Sequence, residues 1–281
     1  MYPVDEPAAT LPDAPVRHRT GPMSLASALV LLALAAPPDT LAPPPSAAAA
    51  RPDPLAQLVG ALARLPATTP VRARVEHRVT FTQGDEEQAP TAGTATATVS
   101  SGSEGLRITW SPSLLARTET EERERTRNPD APTPTRDAVG DLRALALARA
   151  LDAVPEMLRS LHDARVLEDK VEPLDGVPTR VLLLQVKPAI AARDRKYVKD
   201  VEATARIWLG PDGVPLATDR RVLLKGRIFL IITFDIEQKE SLRFGRSGDR
   251  LVVLRHESEF RSAGAGEKRD RLAVTTLTLV E

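Results

Sequence analysis

The sequence has no cysteine among its 281 residues and no net charge, with 38 Lys and Arg residues against 38 Asp and Glu residues. The absence of cysteine excludes disulfide bonds, thiolate metal ligands, cysteine nucleophiles and an N-terminal lipid-anchored cysteine. The charge balance gives nucleic-acid binding no electrostatic support. Aromatic residues make up only 3% of the chain, which argues against a base-stacking surface. We therefore expect no nucleic-acid partner.

Motifs for catalysis and metal binding are also missing. His18, His77, His162 and His256 have no second histidine two to four positions further on, so the sequence indicates no metal site. Neither G-x-S-x-G nor H-E-x-x-H occurs. The segment 264–268 lacks the spacing of a phosphate-binding loop and is interpreted as a hairpin turn. We expect a protein that is not an enzyme and that uses no metal or cofactor.

The chain also lacks a hydrophobic run of membrane-spanning length. Residues 25–36 are almost entirely apolar, but a transmembrane helix needs about 20 such residues. A basic stretch at 17–19, the short apolar run and a small-x-small site at 33–35 have the layout of a secretory signal. We interpret residues 1–36 as a signal peptide and expect an exported, soluble, periplasmic protein. The alternative interpretation is a flexible tail rich in alanine and proline.

The remaining N-terminal residues indicate where the folded part begins. A start at Met23 would make residues 1–22 an upstream extension. Residues 37–52 are rich in proline and alanine and are predicted to be a linker. Asp53 followed by Pro54 is typical of a helix N-terminus. We therefore predict a single folded domain over residues 53–281.

Alternation of apolar and polar residues is the main positive signal, and it indicates antiparallel strands with one buried face. Over residues 71–81, one face takes Val71, Ala73, Val75, His77, Val79 and Phe81. We interpret His77 as a core or cavity residue because it lies on this apolar face. His256 stands beside Glu257 on a later strand and is predicted to lie at the surface.

Strands are predicted along most of the chain. They cover 91–99, 106–110, 166–171, 179–186 and 201–209, with a less regular one at 114–120. A strand over 227–236 is expected to place five apolar residues on one face, namely Ile228, Leu230, Ile232, Phe234 and Ile236. Turns are predicted at 175–176, 210–213, 245–248 and 264–266.

Helical spacing of apolar residues is confined to two segments. Residues 54–65 form one amphipathic stripe, and residues 136–163 form a helical insert that Asp152 and Pro155 are expected to divide in two. The charged segment 119–130 is predicted to be a solvated loop or strand extension. Runs of strands around a separate helical block indicate an α+β fold. A sheet of so many strands must twist and curl, and we expect it to curve around the helices.

Several segments together resemble one known family. A short helix leads into the alternating strand 71–81, and a glycine-led strand follows at 93–99. The segment 106–112 ends in Trp110, Ser111 and Pro112, and residues 207–216 contain a tryptophan, a glycine and a proline in a hairpin pattern. This order resembles the lipoprotein-carrier superfamily (LolA/LolB-like, including LppX-like proteins) over roughly residues 54–281.

The resemblance implies a fold and a mode of action. Members of this superfamily form a strongly curved antiparallel sheet, an incomplete β-barrel, that is covered by helices. By resemblance, the chain is expected to act as a periplasmic carrier or chaperone that holds the acyl chains of a lipid or lipoprotein. A membrane protein of the cell envelope is a further expected partner. The helical insert 136–163 is in the position of a lid.

The apolar strand faces are the predicted ligand-binding surface. The candidate lining residues are Val75, Val79, Phe81, Ile108, Trp110, Ile228, Leu230, Ile232 and Phe234. Packed against the helices, the same residues would instead form an ordinary core. Three other functions therefore stay open: a periplasmic sensory or regulatory module of the same fold, a structural envelope protein with a filled core, and an exported hydrolase.

Overall fold

A computed structural model gives the conformation of most of the chain. It describes residues 53–83, 90–188, 190–192, 194–228, 232–264 and 267–280. All of them belong to one compact unit, Arg51–Glu281. The predicted signal peptide at 1–36 and the predicted linker at 37–52 lie outside the described residues and stay predictions.

Helices and strands are grouped along the chain. The helices are α1 Pro54–Ala63, α2 Pro112–Arg127, α3 Pro134–Asp141, α4 Ala144–Leu151 and α5 Val154–Leu161. The first five strands are β1 Val71–Gln83, β2 Thr91–Gly102, β3 Gly105–Trp110, β4 Arg165–Leu174 and β5 Val177–Gln185. The others are β6 Val198–Leu209, β7 Pro215–Ile228, β8 Ile232–Ser247, β9 Arg250–Gly264 and β10 Glu267–Leu279. A short 3₁₀ helix, Arg195–Tyr197, precedes β6. The predicted α+β class is confirmed.

The ten strands form one antiparallel sheet in the order β3-β2-β1-β10-β9-β8-β7-β6-β5-β4. Strands that follow one another in the chain are neighbours in the sheet, with the exception of β3 and β4. These two strands are the opposite edges, so the sheet is not closed, and α2 to α5 occupy the connection between them. The first and last strands pair inside the sheet, with Val75 opposite Leu277.

The predicted alternation on β1 is confirmed. Val71, Ala73, Val75, His77 and Val79 are all buried, and the residues between them are exposed or only partly buried. Ala95, Ala97 and Val99 continue this buried face on β2. Gly93, on the same strand, leaves room for α3, because a Cβ atom there would lie only 1.9 Å from the carbonyl oxygen of Pro134.

The prediction for residues 112–130 is wrong. The structure has a 16-residue helix, α2, where the sequence predicted a strand at 114–120 and a loop or strand extension at 119–130. Ser111 caps the helix, since its hydroxyl accepts a hydrogen bond from the Leu114 amide at 3.2 Å. Leu114 is the one buried residue of α2. Such a helix shows no apolar stripe, and therefore no helical signal in its sequence.

The helical insert is longer and more divided than predicted. It begins at α2, and the segment predicted as two helices contains three, α3 to α5, separated near Arg143 and at Asp152. Leu142, Leu147, Leu151 and Leu161 of this segment are buried, whereas Leu145 is 62% exposed. None of the helices in the described part of the chain is long and apolar enough to cross a membrane.

The long strand predicted over 227–236 is also wrong. β7 ends at Ile228 and β8 begins at Ile232, and the two strands pair as a hairpin with Gly226 opposite Phe234. Paired residues in an antiparallel hairpin point to the same face. The residue numbers of paired positions differ by an even number, so even-numbered residues of both strands lie on the same face. The apolar alternation in the sequence therefore continues across the turn and looks like that of a single strand.

The other turns are close to their predicted positions. Asp175 and Gly176 have positive φ angles of 50° and 83°, as a tight hairpin between β4 and β5 requires. Gly213 also has a positive φ in the turn between β6 and β7. The turn predicted at 245–248 is shifted, because β8 continues to Ser247 and the chain turns at 248–249.

The core consists of two main clusters of buried apolar side chains. One joins α1 and α5 to the β5–β9 part of the sheet, and it includes Leu62, Leu161 and Leu184. The other joins α2, α3 and α4 to β1, β2 and β10, and it includes Val75 and Leu147. Ala150 of α4 packs against both clusters.

Candidate ligand-binding cavity

A cavity of about 540 Å³ lies between helices α3–α5 and one face of the sheet. Its size is within the range of about 300–1,000 Å³ that is typical of small-molecule sites. The two core clusters both contribute to its wall, for example through Leu161 and Leu277. The cavity is therefore a gap between the core clusters that the protein's own side chains leave unfilled.

The helices contribute mostly apolar side chains to the cavity. These residues are Leu142, Ala146, Leu147, Ala150, Ala153, Met157 and Leu161. Charged residues from the same helices also reach the lining, and they are partly neutralised. Glu156 of α5 lies 3.1 Å from Arg149 of α4 and 2.8 Å from Arg159. This apolar helix surface, together with apolar strand residues such as Ile207 and Phe244, favours a hydrocarbon ligand.

The sheet contributes a continuous group of polar side chains, which we call the polar band. Its members are His77 on β1, Thr218 and Arg220 on β7, Gln238 and Glu240 on β8, His256 and Ser258 on β9, and Arg271 and Thr275 on β10. The strand register places them in neighbouring positions on one face, with Arg220 opposite Glu240 and His256 opposite Thr275. An inward-facing surface of this kind is usually apolar, because buried polar groups are costly without partners.

One end of the polar band is connected to helix α3. His77 Nε2 lies 3.1 Å from Asp141 Oδ2, and His77 Nδ1 lies 2.9 Å from the hydroxyl of Thr275. Arg271 donates a hydrogen bond to the same Asp141 oxygen. Burial alone would raise the pKa of Asp141, but the hydrogen bonds from His77 and Arg271 and their charges lower it below its ordinary value of 3.8.

The middle of the polar band contains a second carboxylate with two basic neighbours. His256 Nε2 lies 2.9 Å from Glu240 Oε1, and Arg220 Nη1 lies 3.9 Å from Glu240 Oε2. The interaction with His256 lowers the pKa of Glu240 below its ordinary value of 4.5, against the opposing effect of burial. The pair therefore keeps Glu240 ionised inside the cavity.

The polar band resembles a catalytic arrangement at one point only. Thr275, His77 and Asp141 are connected by hydrogen bonds in the order hydroxyl, imidazole, carboxylate. Thr275 lies in the middle of β10, which pairs with β1 on one side and β9 on the other. The amides near this hydroxyl belong to a paired strand, whereas an oxyanion site needs free amide donors aimed at the reacting atom. The cluster is better suited to holding α3 against the sheet.

The residues that the sequence predicted as the ligand-binding surface lie elsewhere. Val75 and Val79 are completely buried in the cluster with α2–α4, and Phe81, Ile108 and Trp110 are half-buried against it. None of these five is among the described residues that line the cavity. They pack against helices, which is what the core interpretation of the same residues expects.

The predicted residues of the β7–β8 hairpin are only partly described. Leu230 lies outside the described residues, and so do the side chains of Ile228 and Ile232. Phe234 is half-buried and lies close to Gly226, where a Cβ atom would approach its ring to 2.2 Å. Phe234 does not belong to the described lining of the cavity.

The sequence predicted different locations for the two histidines of the polar band. His77 was interpreted as a core or cavity residue, and this is confirmed, since it is 5% exposed and lines the cavity. His256 was predicted to lie at the surface; its side chain lines the cavity beside Glu240 and is 37% exposed. The strand register places His256 on the same face of the sheet as His77, because His256 is opposite Thr275 and Thr275 is opposite His77.

A second depression lies on the outside of the cluster around α1. It has a volume of about 820 Å³ and is lined by α1, by β5 and by the turn between β6 and β7. Its charged groups already have partners: Arg180 donates to both oxygens of Asp169 at 2.9 and 2.8 Å, and Arg64 donates to two carbonyl oxygens. Because Arg180 and Arg64 already have acceptors, this depression offers a ligand fewer free hydrogen-bond donors than the cavity does.

Comparisons with known proteins found no relative of this chain. No protein-family model matches the sequence, and neither the curated proteins nor the solved structures contain a match. Within the described ranges, no three His, Asp or Glu side chains are grouped so that they could hold a metal ion. The functional interpretation therefore depends on the cavity and its side chains.

Proposed function

We propose that this chain is a non-catalytic binding protein that holds one amphiphilic molecule between helices α3–α5 and the sheet. In this proposal the sheet curves around the helices as an incomplete barrel, as in the lipoprotein-carrier superfamily that the sequence resembles. The protein is exported to the periplasm and carries an acyl lipid, or the acyl part of a lipoprotein, to a partner in the cell envelope.

One observation carries this proposal: the cavity lining joins an apolar surface, supplied by both the helices and the sheet, to the polar band of the sheet. Burial of a hydrocarbon chain contributes about 0.8 kcal/mol per methylene, and Leu147, Met157 and Leu161 offer an apolar surface for it. A polar head group would satisfy donors and acceptors of the polar band that would otherwise be buried with few partners.

The volume of the cavity limits the size of the ligand that it can hold. About 540 Å³ is the size of a typical site for one small molecule. We therefore propose a ligand with a single acyl chain, or one chain of a larger lipid, as the occupant of this cavity.

Binding of an apolar fluorophore tests the proposal directly. Ala150→Trp places a large ring at a lining position of α4, whereas Ala144→Trp places the same ring at an exposed position of the same helix. We expect the wild-type protein and Ala144→Trp to bind the fluorophore and to release it when a long-chain amphiphile is added. Ala150→Trp should lose at least tenfold in affinity because its indole occupies the space of the ligand.

Native mass spectrometry of protein purified from a membrane-containing lysate provides a second readout. A bound mass in the range of a lipid supports the carrier function. A bare protein that also fails to bind the fluorophore would contradict it and would favour a structural envelope protein. If instead the lipid remains bound while a membrane-anchored partner is captured, the sensory module of the same fold becomes the better interpretation.

A hydrolase is the second candidate, and the chain of hydrogen bonds from Thr275 through His77 to Asp141 is the observation in its favour. Thr275→Val separates the two functions. A carrier keeps its lipid after this change, whereas a hydrolase loses turnover of chromogenic acyl esters. Ester hydrolysis that is present in the wild-type protein and absent from Thr275→Val would replace the binding function with an enzymatic one.

A further inference from the structure

We propose that the polar band contains a subsite for an anionic head group, formed by Arg220 and Thr218 of β7 with Gln238 and Ser258 from the next two strands. The ligand is then an acidic amphiphile, with a carboxylate or a phosphate monoester at one end of an acyl chain. This inference rests on the proposed binding function and specifies its ligand class.

The positive charge of Arg220 is only weakly matched within the cavity. Its nearest carboxylate is Glu240, and Nη1 of Arg220 lies 3.9 Å from Oε2 of that residue. Glu240 has a closer basic neighbour, His256, at 2.9 Å. A guanidinium forms its strongest contacts as paired hydrogen bonds of about 2.7–2.9 Å to an oxyanion. Arg220 has no such contact with any described residue, so a ligand can supply it.

The groups around Arg220 are unused hydrogen-bond donors. Nε of Arg220 and the hydroxyl of Thr218 are buried and have no hydrogen-bond partner among the described residues. The side chains of Gln238 and Ser258 line the same cavity and take part in no hydrogen bond or ion pair that the described residues form. Buried donors without acceptors are costly, and an oxyanion with several lone pairs would accept hydrogen bonds from Arg220 and Thr218. The ionised Glu240 of β8 lies opposite Arg220 of β7 and opposite Ser258 of β9.

The balance of charged residues in the whole lining also favours an anionic ligand. Its described carboxylates are three, Asp141, Glu156 and Glu240. Its described arginines and lysines are five, Arg143, Arg149, Lys187, Arg220 and Arg271. The lining therefore has two more cationic than anionic side chains; Arg143 and Lys187 are exposed to solvent, and Lys187 lies 3.7 Å from Asp163.

The neighbours of the subsite explain why the acidic group must belong to an amphiphile. Ala205 lies opposite Arg220, and Ile207 lies opposite Thr218, on the adjacent strand β6. Both are buried apolar residues, and both line the cavity. A head group at Arg220 would therefore have its hydrocarbon chain next to these residues and to the apolar side chains of α5.

The test compares two ligands with the same acyl chain, one with an anionic carboxylate and one with a neutral methyl ester. Palmitate and methyl palmitate displace the apolar fluorophore from the wild-type protein and from Arg220→Gln and Arg221→Gln. Arg221 is the matched control, because it is the next residue of β7, it is not part of the lining, and its Nε donates to Glu237 at 2.8 Å. Dodecyl phosphate and inorganic phosphate extend the comparison to the second oxyanion and to an anion without a chain.

We expect the wild-type protein and Arg221→Gln to bind palmitate at least about tenfold more tightly than its methyl ester, the usual size of an effect for hydrogen bonds to a charged group. Arg220→Gln should lose this preference and keep its affinity for the ester. Dodecyl phosphate should behave like palmitate. Inorganic phosphate should compete only weakly, since it lacks the chain; strong competition would assign the subsite to a free anion and overturn the amphiphile.

Equal affinity of the wild-type protein for acid and ester would overturn the inference but leave the proposed function intact. Failure of both ligands to bind would instead overturn the proposed function itself. Thr218→Val and Arg220→Lys keep the test valid if Arg220→Gln does not fold. Thr218→Val should weaken palmitate binding several-fold without changing ester binding, whereas Arg220→Lys should retain part of the preference for the acid.

Discussion

Asp141 is the residue at which the helices and the sheet are connected by charge. Its carboxylate, on α3, contacts His77 of β1 and Arg271 of β10. Removing one member of such a cluster leaves partly buried polar groups without a partner, at a cost of about 1–3 kcal/mol each. The same change also removes the polar attachment of α3 to the interior strands β1 and β10.

We predict that Asp141→Asn destabilises the protein by about 1–3 kcal/mol near neutral pH, as measured by urea unfolding. The folded-state pKa of Asp141 lies below its ordinary value of 3.8, so its ionised form stabilises the fold above that pH. This contribution is lost as the pH falls through the lowered folded-state pKa. The difference between wild type and variant should therefore shrink markedly at pH 3.

A suitable control for this experiment is Asp130→Asn. Asp130 is exposed, and its carboxylate makes no ion pair with a described residue. We expect its stability to match the wild type within about 0.5 kcal/mol at both pH values. A difference between wild type and Asp141→Asn that is the same at pH 3 and pH 7 would contradict an electrostatic role for Asp141.

At the scale of secondary-structure elements, α2 is the α-helix with the fewest buried residues among those the structure describes. Leu114 is its one buried residue, and the next residue, Leu115, is 49% exposed. Leu114→Ala should therefore cost about 2–5 kcal/mol, as expected for a buried leucine. Leu115→Ala should cost less than about 0.5 kcal/mol.

Urea unfolding followed by far-UV circular dichroism would measure both variants. Similar effects of the two changes would mean that α2 does not pack, through Leu114, against the core cluster that contains β1, β2 and β10. A loss of helical signal in Leu114→Ala at low urea, before the sheet unfolds, would show that this leucine holds the helix alone.

The same elements show what could be predicted from the sequence. β1 was predicted well because one of its faces meets the core and the other meets solvent, so the period of two is complete. α2 was missed because a nearly solvated helix needs no apolar stripe. The β7–β8 hairpin was missed because the alternation stays in phase across its turn.

The candidate site was less predictable than the fold. The sequence identified apolar strand faces, but those side chains are used as core, and the cavity lies beside them. Its polar band is assembled from five strands of the sheet. Arg220 and Glu240, for example, are neighbours only because β7 and β8 pair in one particular register. His77 was recognisable because a single polar residue interrupted an otherwise apolar face.

At the scale of the whole molecule, the N-terminal segment predicts export. We predict that the mature protein lacks residues 1–36, because that segment has the layout of a signal peptide. Intact-mass spectrometry of protein released by osmotic shock would measure this. A cytoplasmic protein that still carries Met1 or Met23 would contradict the prediction. Removal of the leader should leave the fold unchanged, since the described elements begin at Pro54.

The position of β10 has a consequence for the order in which the domain can form. β10 pairs with β1 and β9 inside the sheet, so just over two hundred residues separate partners such as Val75 and Leu277. A chain that emerges N-terminus first can build hairpins early, but its two halves remain unjoined until the final strand arrives. The complete ten-stranded sheet can therefore form only after β10 has been synthesised.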